Sequence, residues 1–208
     1  MKTIYAKINF FESVLGTAPA NENVYRDFIG NKSPDATSVE EEIEALGADN
    51  YTEKQMTVFP KNENGDPFVW DYQIKGFFKD SCGALRKIKG TESSKIKAYK
   101  KEIDKLIFPE PRKILFENYG TIKECQRPLR AQTMQGERVT LAISEEIEAG
   151  ASITFSVVCF SDESANLVRE WLDYGKFGGF GQWRNSGKGR FYWTELDENG
   201  EVVGGNNP

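Results

Sequence analysis

The chain has 208 residues, of which 38% are hydrophobic and 12% aromatic, and its formal net charge is −5. This length suits a single globular domain, and no apolar run approaches the ~20 residues of a membrane span, so no membrane association is expected. Histidine is absent, which removes the commonest general base and the usual zinc ligand, and the three cysteines lie far apart. We therefore expect a cytoplasmic protein with no metal site, no cofactor, no disulfide framework and no catalytic residues.

The charges are unevenly distributed along the chain. Residues 21–53 hold nine acidic and two basic residues, whereas residues 74–101 hold nine basic and two acidic ones. Residues 175–190 carry four basic residues and no acidic one. If the two basic segments converge in the fold, they form an anion-binding face despite the negative net charge.

The N-terminal third predicts a strand, a short acidic helix and a hairpin. Apolar and polar residues alternate from Ile4 to Phe10, which is the pattern of a half-buried strand. Ser38 and Glu41 form a capping box, which predicts a short acidic helix that ends before Gly47. Residues 55–59 and 68–74 are rich in aromatic and β-branched residues and flank a turn-forming stretch, so we expect them to pair as a hairpin.

Two helices are predicted after the hairpin. Phe78, Cys82 and Leu85 recur at helical spacing, so a helix is expected to begin near Gly76, with Lys75 at its N-terminal entry. Free N–H groups at such an entry would attract an anion. A second helix is expected from about residue 92 to residue 106, where the proline-rich residues 108–111 stop it.

The second half of the chain predicts mostly strands, at 114–116, 139–143 and 153–160. The strand at 153–160 has apolar residues on both faces, so we expect it in the centre of a sheet. The polar stretch from Arg127 to Arg138 is expected to be a loop. Ser161 is the predicted cap of a helix that runs through Tyr174 and ends at Gly175. A final hairpin of residues 191–196 and 201–203 is expected before a frayed tail at 204–208.

The stretch from Gly175 to Phe191, GKFGGFGQWRNSGKGRF, has the composition of a phosphate-binding loop. Glycines let the backbone approach an anion, cations neutralise it, and aromatic rings can stack bases. Its spacing fits neither a Walker loop nor a dinucleotide fingerprint. The alternative is a solvated surface loop whose aromatic residues pack beneath it. The glycines predicted to present N–H groups to phosphate are Gly178, Gly179, Gly181, Gly187 and Gly189.

Three segments in order resemble the RAMP superfamily, the RNA-binding proteins of CRISPR ribonucleoproteins. Ile74–Arg86 (IKGFFKDSCGALR) is similar to the family's strand-to-helix segment, Ser144–Val158 (SEEIEAGASITFSVV) to its turn-to-strand segment, and Gly175–Phe191 to its C-terminal glycine-rich loop. The resemblance implies an α+β fold: a ferredoxin-like or RRM-like antiparallel sheet with flanking helices and an inserted lobe. We expect it to form a single domain over residues 1–203.

The resemblance also implies function: sequence-tolerant binding of single-stranded RNA, alongside protein subunits of a CRISPR-type ribonucleoprotein. The compartment would be the cytoplasm of a bacterium or of a phage-infected bacterial cell. For each candidate the alternative is a solvated surface residue, or partial burial in the case of the tryptophan. The candidate RNA contacts are Lys75, Lys79, Arg86, Arg127, Arg130, Arg138, Lys176, Trp183, Arg184, Lys188 and Arg190.

Two other functions stay open. The residues from Phe10 to Ala20, FFESVLGTAPA, are similar to small phage proteins, which favours a phage-encoded RAMP-like protein that docks on or inhibits a host CRISPR effector. A metal-independent ribonuclease is the weaker alternative, because without histidine only tyrosine, lysine or aspartate could move protons.

Overall fold

The computed structural model describes residues 1–20, 56–133 and 136–206, and of residues 129–133 and 136–141 it describes the backbone alone. The acidic helix predicted from Ser38 lies outside the described residues. The helices are α1 (Asp71–Leu85), α2 (Tyr99–Leu106) and α3 (Asp162–Gly178), with short 3-10 helices at Glu92–Lys95 and Arg184–Ser186. The strands are β1 (Lys2–Phe10), β2 (Val14–Leu15), β3 (Ala18–Pro19), β4 (Met56–Val58), β5 (Phe68–Trp70), β6 (Ile107–Glu110), β7 (Lys113–Glu117), β8 (Lys123–Thr133), β9 (Gly136–Ile147), β10 (Ser152–Cys159), β11 (Phe191–Leu196) and β12 (Val202–Gly205).

The main sheet has the order β12-β11-β1-β10-β7-β5, and β6 also pairs with β10. Its neighbouring strands are antiparallel, and β1 lies beside β10 with Ile4 opposite Val157 and Ile8 opposite Ile153. In chain order, β1, α1, the β6–β7 segment, β10, α3 and β11 form a βαββαβ unit with the fourth strand beside the first and the third beside the second. This is the ferredoxin-like arrangement. The expected α+β fold class and the pairing of the first strand with the central one are confirmed.

The core lies between this sheet and two helices. Phe78 of α1 and Trp171 of α3 are fully buried, with ring centroids 5.4 Å apart. Ser161 caps α3 as predicted, because its hydroxyl accepts the N–H of Ser164 at 3.1 Å. The alternating apolar residues of β1 are buried in the same core, which fixes the register of the sheet.

A second sheet, of order β2-β9-β4-β3 with β8 paired to β9, is built from segments inserted between the elements of the main unit. Strands β8 and β9 form a continuous antiparallel ladder from the Lys123–Glu146 pair to the Thr133–Gly136 pair. The expectation of a loop from Arg127 to Arg138 is therefore wrong for the described residues. The ladder satisfies backbone groups without requiring apolar side chains, so a polar sequence can form it.

The hairpin predicted for residues 55–59 and 68–74 is also wrong. Strand β4 pairs with β3 and β9 in the second sheet, whereas β5 pairs with β7 in the main sheet. The chain leaves β5 directly into α1, which begins at Asp71 rather than near Gly76. The side-chain oxygen of Gln73 accepts the Trp70 N–H at 2.8 Å and so caps the helix. Lys75 therefore lies inside the helix and not at its N-terminal entry, where the prediction placed it.

Three further boundaries differ from the predictions. The helix expected over 92–106 is a 3-10 turn followed by α2. Helix α3 continues past Gly175 to Gly178, and Gly175 lies within the helix, where it leaves room for the ring of Phe191. Strand β12 runs through Gly205, and the Asn206 N–H donates to the Trp193 carbonyl at 2.9 Å, so the strand extends into the expected tail.

Candidate nucleic-acid interface

The glycine-rich loop, residues 179–190, leaves α3 and folds back on itself before entering β11. Gly179 ends the helix with φ +67°, and the Phe180 N–H donates to the Gly189 carbonyl at 2.8 Å. The Gly189 N–H in turn donates to the Ser13 carbonyl at 2.7 Å. These backbone hydrogen bonds attach the loop to the segment that follows β1.

Two of the loop glycines are required by contacts within the chain. A Cβ at Gly189, which has φ +70°, would lie 1.9 Å from the Phe180 carbonyl oxygen. A Cβ at Gly181, with φ +82°, would lie 2.9 Å from the Leu15 carbonyl oxygen. The close backbone approach that the glycines permit is thus to other parts of this chain. The prediction that they present N–H groups to phosphate stays a prediction.

A cleft of about 660 Å³ opens between the loop, α1 and the C-terminal end of α3. Two aromatic side chains on it reach solvent: Phe177 is 68% exposed and Trp183 is 36% exposed. Exposed flat rings at a cleft can stack bases. The residues that line the cleft are Phe77, Asp80, Ser81, Tyr174, Phe177, Gly178, Gly179, Gly181, Gln182, Trp183, Arg184 and Asn185.

Trp183 is positioned by Arg127, which projects from β8 and is only 6% exposed. The Arg127 guanidinium carbon lies 5.2 Å from the centroid of the Trp183 ring. Its nitrogens donate to the Gln182 side-chain oxygen at 2.9 Å and to the Ser144 hydroxyl at 3.1 Å. Arg127 is therefore a buried residue of a strand that supports the glycine-rich loop, and it does not lie in a loop of its own as predicted.

The three cations of the loop each contact a carboxylate. Arg184 lies 2.9 Å from Asp80 of α1, in a largely exposed pair. The Lys188 ammonium donates at 2.6 Å to both the Glu146 carboxylate and the Ser13 hydroxyl, and Arg190 lies 3.1 Å from Glu12. Lys188 is thus the most buried of the three, at 24% side-chain exposure, and Ser13 and Glu12 near the N-terminus hold Lys188 and Arg190 respectively.

The remaining candidates lie apart from the cleft lining. Lys79 is 2.6 Å from the Asp104 carboxylate, and Lys75 donates to the Asp104 carbonyl at 3.3 Å, so both reach α2. Arg86 lies over the Tyr99 ring at 5.1 Å, and Lys176 lies over the Phe177 ring at 5.2 Å. The backbones of Arg130 and Arg138 are in the β8–β9 ladder. Arg184 pairs with Asp80, the residue after Lys79 in α1. The side chains of Lys75 and Lys79 themselves are bonded to Asp104 of α2.

The carboxylate of Glu146 is the acidic partner of Lys188 in the contacts that hold the glycine-rich loop. Burial alone would raise the pKa of this carboxyl, but hydrogen bonds from Lys188 and Ser13 outweigh it and hold the pKa below its usual value. Glu146 is therefore ionised at neutral pH and holds Lys188 in place.

Neither a metal site nor a membrane span is evident in the part of the chain that the structure describes. There, no three His, Cys, Asp or Glu side chains lie close enough together to hold an ion. No helix among these residues is long and apolar enough to cross a membrane.

The comparisons with known proteins show a similarity in structure but none in sequence family. No protein-family model matches the chain, and no curated protein matches it. Among solved structures, the chain is similar to one in the cryo-EM structure of the Type III-B Cmr-beta bound to cognate target RNA, with 10% sequence identity and a TM-score of 0.49. The match covers 99% of this chain and 60% of that chain, so this protein spans less than two thirds of the length of the chain it matches.

Proposed function

We propose that the protein is a single-stranded RNA-binding protein of RAMP type that holds the strand at the glycine-rich loop. The observation that supports this is the cleft, where the exposed rings of Phe177 and Trp183 accompany the exposed cation of Arg184. Aromatic rings stack bases of any sequence and cations neutralise phosphates, so the combination suits sequence-tolerant binding of a single strand.

Among the loop cations, Arg184 is the one best placed to contact phosphate. Its ion pair with Asp80 is exposed on both sides, and exposed pairs contribute only about 0–1 kcal/mol, so a phosphate can compete with the carboxylate. Lys188 is less free to leave Glu146, because its side chain is 24% exposed and also bonds to Ser13, and Arg190 is held by a further hydrogen bond to the Gly187 carbonyl at 3.2 Å. Binding would then exchange the Asp80 contact of Arg184 for a phosphate contact.

The test is the salt dependence of RNA binding, measured by fluorescence anisotropy with a labelled single-stranded RNA. Each phosphate contact contributes about 0.7 to the slope of log affinity against log salt. Changing Arg184, Lys188 and Arg190 together to alanine flattens the slope by about two units if all three touch phosphate, and Arg184→Ala alone by about 0.7. Lys123→Ala, which removes an exposed lysine paired with Glu148, is the matched control and leaves the slope unchanged.

Trp183→Ala tests the stacking part of the proposal separately. Loss of a stacked base costs about 1–3 kcal/mol of binding free energy with little change in the salt slope. Wild-type protein that fails to bind single-stranded RNA at low salt, where electrostatic attraction is strongest, overturns the assignment. We further propose binding without cleavage, which is checked by recovering the labelled RNA intact on a denaturing gel.

A second candidate is a docking protein, in the form of a phage-encoded relative that binds or inhibits a host CRISPR effector. The observation that favours it is the pairing of Arg184, Lys188 and Arg190 with carboxylates of the same chain, which reduces the charge offered to phosphate. A docking protein would show neither the salt response nor the loss on Trp183→Ala. The two candidates are therefore separated by the same measurements.

A further inference from the structure

A second basic surface lies apart from the cleft, on α2 and on the chain that connects α1 to α2. Residues 86–106 hold eight basic and three acidic residues, in a chain whose net charge is −5. Six lysines of this segment are exposed and have no ion pair, hydrogen bond or ring contact in the part of the chain that the structure describes. We call them the lysine surface: Lys87, Lys89, Lys97, Lys100, Lys101 and Lys105.

The lysine surface differs in this respect from the glycine-rich loop, where each of the three cations contacts a carboxylate. Two of the acidic residues within 86–106 are already occupied. Glu92 pairs with Lys95 at 2.6 Å, and Asp104 pairs with Lys79 at 2.6 Å. The cations that carry no counter-charge are therefore concentrated on the lysine surface, and it offers a polyanion more unneutralised charge than the loop does.

Two members of the lysine surface repel each other on α2. Ile103 is the buried residue of this helix, and Lys101 and Lys105, two residues before and after it, lie one turn apart on the side that faces away from the core. Like charges four residues apart destabilise a helix, and a helix of eight residues is marginal to begin with. A row of phosphates along this side would replace the repulsion by attraction.

The lysine surface begins close to the cleft. Asp80 of α1 lines the cleft, and the helical turn continues past Leu85, because the Ile88 N–H donates to the Leu85 carbonyl at 2.8 Å. Lys87 follows Asp80 by two turns, which places it about 10 Å further along the axis of α1. At about 3.4 Å per charge along one stacked strand, this distance corresponds to about three nucleotides.

Helix α2 continues the surface from that point, because it runs antiparallel to α1. Its first residue, Tyr99, meets the last turn of α1, where a Cβ on Gly83 would lie 3.3 Å from the Tyr99 hydroxyl. Asp104, near the other end of α2, contacts Lys79 one turn earlier in α1. The lysines of the connection and those of α2 therefore form one surface that turns round the C-terminal end of α1.

Two exposed aromatic rings stand at the far end of this surface. Phe108 follows α2 in β6, and the Phe160 N–H donates to the Leu106 carbonyl at 3.2 Å. The two phenylalanine rings lie edge to face with centroids 5.8 Å apart, and they are 37% and 51% exposed. Rings that reach solvent beside cations can stack unpaired bases.

We propose that the lysine surface holds the phosphates of the RNA strand after it leaves the cleft, so that the interface extends round the end of α1 and along α2. The inference rests on the proposed RNA-binding function and adds a second set of contacts to it. Lysine is a flexible point charge that contacts phosphates without reading bases. The exposed rings at the far end favour a single strand over a duplex, whose bases are already paired and stacked.

The test compares labelled oligouridine strands of about five and about fifteen nucleotides, of which the short one fills the cleft alone. The slope of log affinity against log salt is measured by fluorescence anisotropy for each. Lys101→Gln combined with Lys105→Gln should flatten the slope of the long strand by about 1.4, since each lost phosphate contact removes about 0.7. Lys87→Gln combined with Lys89→Gln should flatten it to a similar degree. Neither variant should change the slope of the short strand by a comparable amount.

Lys7→Gln combined with Lys123→Gln is the matched control. It removes the same net charge, but from lysines that pair with Glu117 at 3.4 Å and with Glu148 at 2.6 Å, and it should leave both slopes unchanged. Lys101→Gln combined with Lys105→Gln should also leave the thermal midpoint of the free protein unchanged or slightly higher, because a repulsion is removed. A lower midpoint with an unchanged slope would assign these lysines to the fold and overturn the inference.

Two other results overturn the inference while the proposed function stands. One is a long-strand slope that neither lysine variant changes, which leaves the surface to an acidic protein partner. The other is an equal change in the control, which reduces the effect to net charge. Absence of binding to both strands at low salt overturns the proposed function as well. A response of the lysine variants with none from Arg184→Ala or Trp183→Ala keeps the lysine surface and overturns the glycine-rich loop as the place where the strand is held.

Discussion

Arg127 of β8 lies against the indole of Trp183, with the guanidinium carbon 5.2 Å from the ring centroid. The contact joins the second sheet to the glycine-rich loop, and it coincides with a left-handed backbone at Trp183, which has φ 54°. Such a backbone is unfavourable for a tryptophan and persists only where surrounding contacts fix it. The contacts around it include Arg127, with its hydrogen bonds to Gln182 and Ser144, and the hydrogen bond from the Ser186 N–H to the Trp183 carbonyl.

Replacing Arg127 by lysine should therefore destabilise the protein. A lysine cannot reproduce the two hydrogen bonds and the flat contact with the ring, so we expect the free energy of unfolding to fall by about 1–3 kcal/mol in urea titrations. Arg86→Lys is the matched control, because Arg86 also lies over an aromatic ring, that of Tyr99, but is exposed. Its effect should stay within about 0.5 kcal/mol. Equal effects of the two changes would contradict a supporting role for Arg127.

Two glycines inside helices should respond to alanine in opposite directions. Gly76 of α1 has no atom within 4 Å of a built Cβ, so Gly76→Ala should stabilise the protein by about 0.5–1 kcal/mol through helix propensity. A Cβ on Gly175 of α3 would lie 2.1 Å from the Phe191 ring, so Gly175→Ala should destabilise it by several kcal/mol or prevent folding. Thermal unfolding followed by circular dichroism measures both. A tolerated Gly175→Ala would show that α3 and β11 are not packed as described.

The ion pair of Lys188 with Glu146 should make stability depend on pH in the acidic range. The pKa of Glu146 is lowered in the folded state, so its contribution is fully present above the unfolded pKa of about 4.3 and is lost as the pH falls through the folded pKa. The difference in unfolding free energy between wild type and Glu146→Gln should accordingly be constant near neutral pH and shrink below about pH 4. Parallel curves down to about pH 3, roughly one unit below the ordinary pKa of a glutamate, would contradict the assignment.

The three cysteines should differ in reactivity. Cys82 and Cys159 are fully buried, and burial raises the pKa of Cys82 and raises that of Cys159 to about 11, so little thiolate is present. Cys125 on β8 is partly exposed. A chromogenic disulfide reagent at about pH 8 should thus modify one thiol per native chain and three in denaturant. Cys125→Ser should abolish the reaction of the native protein, and a persisting reaction would show that α1 or β10 opens readily.

Local patterns predicted the elements that form the ferredoxin-like unit. The alternation in β1, the apolar run of β10 and the cap at Ser161 are each encoded within ten or so residues, and each appears in the structure. The start of α1 was missed for a local reason too. Trp70 occupies the N-cap, where serine, threonine, aspartate or asparagine is usual, and the cap is supplied instead by Gln73.

The contacts at the candidate site join residues that are far apart in the sequence, so local patterns could not predict them. The composition of the glycine-rich loop indicated where a site would be, but not that Arg184 pairs with Asp80 or that Lys188 pairs with Glu146. These partners are 104 and 42 residues away in sequence. The polar sequence of β8 likewise gave no apolar pattern that would predict a strand, and it did not indicate that Arg127 is buried.

The anchoring of the glycine-rich loop to the segment after β1 has a consequence for folding. Lys188 is hydrogen-bonded to Ser13 across 175 positions and Arg190 to Glu12 across 178, so the loop closes only when distant parts of the chain have met. Contacts of such long range form late and break together with the whole fold. The amide protons of Phe180 and Gly189 should exchange as slowly as those of the central strands, and a chain arrested before residue 191 has joined β1 would have no cleft to offer a ligand.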